Sequence, residues 1–256
     1  MKNHVVLGVD IGGSGIKGGL VDVRSGEMLT ERHRIETPHP ATPKAVAGTV
    51  KELVDHFDYK GVIGVGFPAI VRRNVAASAA NIDDGWIGTD IAKVLGKKTG
   101  QKVYALNDAD AAGIACMKYG IGKEFADDGT VLMVTIGTGL GGALFVDGRL
   151  MPNLEIGQIY LRNMKIIAEQ YAGNKARKDA GLSWAQFGKR FNQFLSHVDH
   201  VFNPDLIVLG GGASKSFDEF AKYLKVNAEV QPAELKNKAG TIGAAVYAYH
   251  KANGKG

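Results

Sequence analysis

Val9-Asp10-Ile11-Gly12-Gly13-Ser14-Gly15-Ile16-Lys17-Gly18-Gly19-Leu20-Val21-Asp22 is a glycine turn set between two apolar runs, and the chain repeats it. The second version is Val134-Thr135-Ile136-Gly137-Thr138-Gly139-Leu140-Gly141-Gly142-Ala143-Leu144-Phe145-Val146-Asp147, with Gly137 standing 125 residues after Gly12. Laid over one another without a gap, Ile11/Ile136, Gly12/Gly137, Val21/Val146 and Asp22/Asp147 coincide. A further turn follows each segment, Arg24-Ser25-Gly26 and then Asp147-Gly148. The pattern predicts a β-hairpin with backbone N–H groups exposed at its tip. Glycine lets phosphate oxygens approach the main chain without a Cβ in the way, so such a tip is an anion cradle. Two cradles in two similar halves point to a duplicated fold closing on one phosphate chain, and hence to an enzyme that handles a nucleotide or a polyphosphate.

The rest of the composition is compatible with that reading. A chain of 256 residues, 45% hydrophobic and 22% charged, has material for two lobes with real cores. No apolar stretch is long enough to span a bilayer, and Met1-Lys2-Asn3-His4 runs into a strand-like segment, not a signal-peptide core. The expectation is a cytoplasmic enzyme without a membrane partner. The single cysteine, Cys116, rules out an internal disulfide and a cysteine-cluster zinc site, and its apolar helical setting reads as packing. A formal net charge of +5 suits a polyanionic substrate, although solvated helix faces account for most of the lysines. Nucleic acid is a poor partner: there is no arginine-rich run, no helix-turn-helix ahead of the first strand and no zinc-finger spacing.

Along the chain, residues 4–11 and 16–23 form the first hairpin and 27–35 a third strand. Thr42 caps a helix at 43–57 with Pro43 in its first turn. A buried strand at 61–67, a helix capped by Thr89 or Asp90 and ending near Thr99, and a strand at 103–106 complete an α/β half. The second half opens with a helix at 108–120, continues through the second hairpin into a helix-rich stretch from about 160 to 202, and places a buried strand at 205–209 before Gly210-Gly211-Gly212. Trp184, Phe187, Phe191, Phe194 and Leu195 recur at helical spacing, as core or as a dimer face, with core favoured for most. A final small-residue helix begins near Ala239-Gly240-Thr241-Ile242-Gly243. The predicted domains are a smaller lobe at 1–106, joined by the helix 240–252, and a larger one at 107–239.

Several residues carry candidate chemistry. Asp10 at the first turn is placed to hold magnesium, directly or through water, and Lys17 to neutralise a phosphate; the alternatives are a turn cap and a solvated lysine. Asp108, in Asn107-Asp108-Ala109-Asp110, follows a strand and starts a helix. It is either a helix cap or a base that accepts a hydroxyl proton while the oxygen attacks phosphorus, with Asp110 as a second candidate. Glu155, Gln158 and Glu169 are hydrogen-bonding side chains suited to a sugar's hydroxyls, or ordinary surface residues. Gly211 and Gly212 offer bare backbone to a phosphate or base, or make a tight turn. The chain has no G-x-x-x-x-G-K-[ST] motif. Gly137-Thr138-Gly139-Leu140-Gly141-Gly142 leads into a strand where a dinucleotide site needs a helix.

In this order the motifs Asp10-Ile11-Gly12-Gly13-Ser14 with Lys17, Asn107-Asp108-Ala109-Asp110, Thr135-Ile136-Gly137-Thr138-Gly139, Glu155-Ile156-Gly157-Gln158 and Gly210-Gly211-Gly212 resemble those of the ROK (repressor, open reading frame, kinase) sugar kinases. Phe67-Pro68-Ala69-Ile70-Val71, Ser78-Ala79-Ala80-Asn81-Ile82-Asp83-Asp84-Gly85-Trp86-Ile87-Gly88, Leu182-Ser183-Trp184 and Phe202-Asn203-Pro204-Asp205 are similar to the polyphosphate glucokinases within that family. The resemblance implies an α/β fold of the actin-like ATPase type, a duplicated ribonuclease H-like fold with two lobes around a central cleft. It also implies a homodimer, magnesium, no zinc, and transfer of a phosphoryl group from inorganic polyphosphate, often also ATP, to the 6-hydroxyl of glucose or a close hexose. Asp108 is then the catalytic base, and Asn81, Asn107, Asp108, Glu155, Gln158 and Glu169 contact the sugar. The donor is held by Asp10, Gly12, Gly13, Ser14, Lys17, Thr135, Gly137, Thr138, Gly139, Gly211 and Gly212. Gln158 departs from the family's usual histidine, which implies weaker glucose binding or a shifted sugar preference. A strictly ATP-dependent hexose or amino-sugar kinase is the rival in the same class. A non-catalytic sugar sensor is the rival outside it, with a repressor disfavoured by the lack of a DNA-binding module before residue 4.

Overall fold

The structure is a computed structural model and describes residues 4–80 and 82–254. It divides into two compact units, Met1–Ala115 with Lys238–Gly256, and Cys116–Asn237.

The first unit contains β1 (Val5–Ile11), β2 (Ile16–Asp22), β3 (Glu27–Met28), β4 (His33–Ile35), α1 (Pro43–His56), β5 (Ile63–Phe67), β6 (Val71–Arg72), β7 (Val75–Ala76), α2 (Ile91–Thr99), β8 (Val103–Asn107) and the start of α3 (Asp108–Tyr119). Its main sheet runs β3-β2-β1-β5-β8, with β4 also pairing with β2. Strands β1, β5 and β8 are parallel, and β2 is antiparallel to β1. Strand alternation sorts the two faces. Leu7, Val9, Ile11, Ile63, Val65 and Phe67 join Val50 and Leu53 of α1 and Leu95 of α2 in one buried cluster. Gly8 and Gly64 lie on the opposite face, where a Cβ would overlap the carbonyl oxygens of Thr241 and Ala244. Those two residues belong to the chain's final helix, Ala239–Ala252. It lies flush on the sheet because the strands offer it no side chains there.

Helix starts follow the expected chemistry. Thr42 accepts from the Ala45 N–H with Pro43 in the first turn, and Asp90, not Thr89, caps α2 by accepting from the Lys93 N–H at 2.9 Å. The third strand differs from expectation, because 27–35 is two short strands and not one. The Leu20 N–H turns to the Thr30 hydroxyl at 3.1 Å instead of a backbone carbonyl, the ladder breaks there, and β4 rejoins β2 beside Ile16–Gly18. The β6–β7 hairpin was not read from sequence, since its turn is Arg73-Asn74, both at positive φ, with no glycine to mark it.

The second unit repeats the plan. It contains β9 (Thr130–Ile136), β10 (Leu140–Val146), β11 (Arg149–Leu154), α4 (Ala168–Ala172), α5 (Asn174–Asp179), α6 (Trp184–Phe202), β12 (Leu206–Gly210), α7 (Phe217–Phe220) and β13 (Glu229–Pro232); the final helix of the first unit is α8. The sheet order β11-β10-β9-β12-β13 matches the first, with an antiparallel meander followed by two parallel strands. The duplication is therefore topological as well as sequential. The ungapped overlay holds only on the entering strand, however. Ile11 pairs with Ile16 across four tip residues, whereas Ile136 pairs with Leu140 across three. On the leaving strand Ile16 corresponds to Leu140 and Val21 to Phe145, and the Val21/Val146 match is one residue out of step. A one-residue slip exchanges the faces of a strand, and Val146 is 42% exposed while Val21 is buried.

The helix-rich stretch begins later than expected, since 159–167 holds no helix and is tied by a bridge between Tyr160 and Ile167. A capping box between Ser183 and Gln186 opens α6, and Phe187, Phe191, Phe194 and Leu195 are buried against Leu132, Val134, Ile207 and Leu209. They are core, as favoured. Among the described residues no helix is long and apolar enough to cross a membrane.

Candidate active site

Each unit carries its own share of the candidate residues. In the first, the tip Gly12-Gly13-Ser14-Gly15 joins β1 to β2, and the register sets Asp10 opposite Lys17. Lys17 Nζ is 3.4 Å from Asp10 Oδ2, with the side chains 24% and 20% exposed. Three tip carbonyls have donors: Gly15 O takes the Gly12 N–H at 3.1 Å, Gly12 O takes the Thr37 hydroxyl, and Ser14 O takes Arg34 Nη2 at 2.5 Å. Among the described residues, no protein acceptor meets the N–H of Gly13 or Ser14. The tip's positive dipole ends are the ones left for a ligand, as an anion cradle requires.

Two glycines that sequence reasoning passed over make room for the carboxylates. A Cβ on Gly240, in the first turn of α8, would stand 3.3 Å from Asp10 Oδ1. Asp10 thus lies beside a helix N-terminus, where negative charge is favoured. A Cβ on Gly66 would stand 3.6 Å from Asp108 Cα, and Gly66 is the β5 partner of Asp10. Asp10 and Asp108 therefore flank the bare glycine of β5 at the carboxyl ends of three parallel strands. Ligands of open α/β sheets bind at such strand ends. The detectable signal was a glycine inside an otherwise buried strand.

The helix cap falls to Asn107. Its Oδ1 accepts from Ala109 N–H at 2.8 Å and Asp110 N–H at 3.1 Å, and its Nδ2 donates to Ala69 O at 3.1 Å. One Nδ2 hydrogen remains for a ligand. The start of α3 is thus capped without Asp108, whose Oδ1 accepts from the Ala109 N–H at 2.8 Å. Asp110 is 1% exposed and lies within the electrostatic reach of Tyr247, whose phenol is pushed up by burial and then by Asp110. That depth removes Asp110 as a second base. Asn81 lies outside the described residues.

In the second unit the tip is Gly137-Thr138-Gly139, with the Gly137 N–H donating to Gly139 O at 3.0 Å. Thr135 pairs with Gly141 here, where the first unit has Asp10 with Lys17. Gly210 pairs with Thr135 on the adjacent strand, and Gly211 has φ +80° with its Cα against Ile136, whose carbonyl oxygen a Cβ would approach to 2.6 Å. Gly212 opens onto free space. The two glycine segments thus meet at the ends of β9 and β12.

Next to them the sugar candidates gather. Ala143 of β10 faces both Pro152 and Asn153, a bulge with Asn153 at φ +64°, and the chain then turns out of the sheet into Glu155 and a helical turn, Ile156–Gln158. Gln158 Nε2 donates to Glu169 Oε1 at 3.0 Å, and the Leu140 N–H approaches Glu169 Oε2 at 3.4 Å. A Cβ on Gly139 would overlap that same oxygen. Burial, and then the charge of Glu169, push the Glu155 carboxyl above its ordinary value of 4.5.

A folded carboxyl with a raised pKa keeps its proton longer than the unfolded chain does. Stability from this group is therefore full at pH below its unfolded value, falls as pH rises through its folded value, and stays lowered above. Glu155→Gln is expected to unfold at higher urea than wild type at neutral pH and to lose that advantage near pH 4, roughly the unfolded carboxyl range. A lower midpoint at neutral pH would mean that the ionised carboxylate is stabilised in the folded protein.

The sequence model of the ROK family matches residues 6–161. A polyphosphate glucokinase of Mycobacterium tuberculosis (strain CDC 1551 / Oshkosh) is 40% identical over 241 residues, 94% of this chain and 89% of that protein. The polyphosphate glucokinase of Mycobacterium leprae (strain TN) is 38% identical over 246 residues, 96% of this chain and 75% of the relative. Among solved structures, the inorganic polyphosphate/ATP-glucomannokinase of Arthrobacter sp. strain KM superposes with a TM-score of 0.93 at 41% identity, covering 97% of this chain and all of that one.

Proposed function

The chain belongs to the ROK family, with its actin-like ATPase fold, and on that premise we propose that it transfers a phosphoryl group from inorganic polyphosphate, with ATP as a second donor, to the 6-hydroxyl of glucose or a close hexose. The similarity to polyphosphate glucokinases over nearly the whole chain supports the donor and acceptor. The observation that carries the chemistry is Asp108: it stands at the carboxyl end of a parallel strand, beside a glycine that leaves room, at a helix start already capped by Asn107. It orients the 6-hydroxyl and takes its proton as the oxygen attacks phosphorus. Glu155, Gln158 and Glu169 hold other sugar hydroxyls, with Asn107 donating its remaining hydrogen and Asn81 contributing as the family resemblance implies. The N–H groups of Gly13 and Ser14, the Lys17 ammonium and the glycine segments at 137–139 and 211–212 hold the donor and offset its charge.

Magnesium fits the residues present. Among the described residues no three of His, Cys, Asp or Glu gather at one point, so the partly exposed Asp10 carboxylate would be the protein's contribution, and phosphate and water would supply the other ligands, as magnesium prefers. When bound it neutralises charge on the transferring group. We assign the enzyme to the cytoplasm as a homodimer, expected to scatter light as twice its 27.2 kDa chain.

The test is glucose 6-phosphate formation with magnesium, with polyphosphate and ATP compared at equal total phosphate. Faster turnover with polyphosphate is the expected result. Activity with ATP alone would overturn the donor and keep the kinase, and no product from any hexose with either donor would overturn both.

A further inference from the structure

We propose that Arg34 is a donor-selecting residue, which holds the first hairpin tip open to anions and binds the part of a polyphosphate chain beyond the phosphate being transferred. The inference rests on the polyphosphate reading above and goes beyond it. Arg34 lies on β4, directly beside Lys17 of β2. Its Nη2 donates to Ser14 O at 2.5 Å, and the absent side chain of Gly15 provides its berth, since a Cβ there would stand 2.5 Å from Arg34 Nε. Binding the Ser14 carbonyl keeps a negative dipole end engaged and away from an incoming phosphate.

The charge is what makes Arg34 more than a clamp. Lys17 is paired with Asp10, while among the described residues no carboxylate forms an ion pair with Arg34. A carbonyl accepts a hydrogen bond without cancelling a full positive charge. A guanidinium also has more N–H donors than one carbonyl uses, and its fork matches phosphate geometry. Arg34 is exposed, so those donors are within reach of a ligand at the tip. Polyphosphate carries charge all along its length, whereas ATP ends in a neutral nucleoside. A cation beyond the reacting phosphate therefore favours the longer anion. The second hairpin holds Thr135 and Gly141 where the first has Asp10 and Lys17, so its tip lacks the lysine beside which Arg34 stands.

The experiment is Arg34→Gln in the full-length protein, with Arg34→Lys beside it, assayed with long-chain polyphosphate, short-chain polyphosphate and ATP over a range of salt. For Arg34→Gln the KM for long polyphosphate should rise roughly five- to tenfold and that for ATP about twofold, with kcat and the glucose KM unchanged. The slope of log KM for polyphosphate against log salt should flatten by roughly one unit or less, and Arg34→Lys should restore most of it. A merely structural tether would move all substrates together and leave the salt slope alone. Unchanged KM and slope with long polyphosphate, or an equal loss on both donors, would overturn the proposal. A wild-type protein inactive with polyphosphate would overturn the donor reading and this inference with it, whereas a polyphosphate-active wild type with a silent Arg34→Gln overturns this inference alone.

Discussion

Asp108→Asn is expected to fold, to bind glucose with near wild-type affinity, and to turn over roughly 10²–10⁴ times more slowly, the usual loss for a general base. Local geometry makes the variant a clean one. The helix start depends on Asn107, which accepts two backbone N–H groups, and an asparagine at 108 keeps the Oδ1 that meets the Ala109 N–H. The negative charge and the ability to take a proton go. The neighbouring Asn107→Ala should lose about 1 kcal/mol of stability through the missing cap, and sugar affinity with the missing amide. Thermal unfolding and initial rates on the two variants separate the roles. Turnover of Asp108→Asn within about tenfold of wild type would remove Asp108 as the base.

The second large effect is on folding. Gly64→Ala places a methyl where the Ala244 carbonyl of α8 already lies, and neither backbone can move away without lifting the helix from the sheet. Overpacking of this kind costs upward of about 3 kcal/mol, which for a chain of this size lowers Tm by roughly 6–12 °C. Gly48→Ala is the control. Gly48 is inside α1 with nothing near a prospective Cβ, so alanine should stabilise by about 0.5–1 kcal/mol through helix propensity. A Gly64→Ala protein that melts with wild type would mean that α8 tolerates displacement from its seam.

The hairpins were legible because glycine turns between apolar runs leave few backbone choices, and the matching topology of the two sheets followed from their repetition. The length of each tip was not legible, since three or four residues of Gly, Ser and Thr close a hairpin equally well. That ambiguity hid the one-residue slip between Val21 and Val146. Thr30 broke a strand by substituting its hydroxyl for a carbonyl, a choice that no period reveals. At the site, Asp108 was found from its position after a strand, yet sequence could not assign the cap, because Asn107 and Asp108 are both good caps and only the hydrogen bonds decide. Glu169 was expected near Glu155 from the family resemblance, and its approach to Leu140 and Gly139 depends on the non-helical path at 159–167. Gly66 and Gly240 were given no part in the site, because an empty volume has no side chain to draw attention to it.

The seam of glycines under α8 also bears on how the protein emerges from a ribosome. Residues 116–237 form a contiguous unit that can close as soon as it is clear of the exit tunnel. The sheet begun at Val5 cannot: its Gly8 and Gly64 face stays uncovered until the helix ending at Ala252 has been made. At synthesis rates of roughly 5–20 residues per second, that exposure lasts many seconds. Stalled nascent chains should therefore become resistant to protease in the later-translated unit first, and the half of the protein that is started first is the half that is finished last.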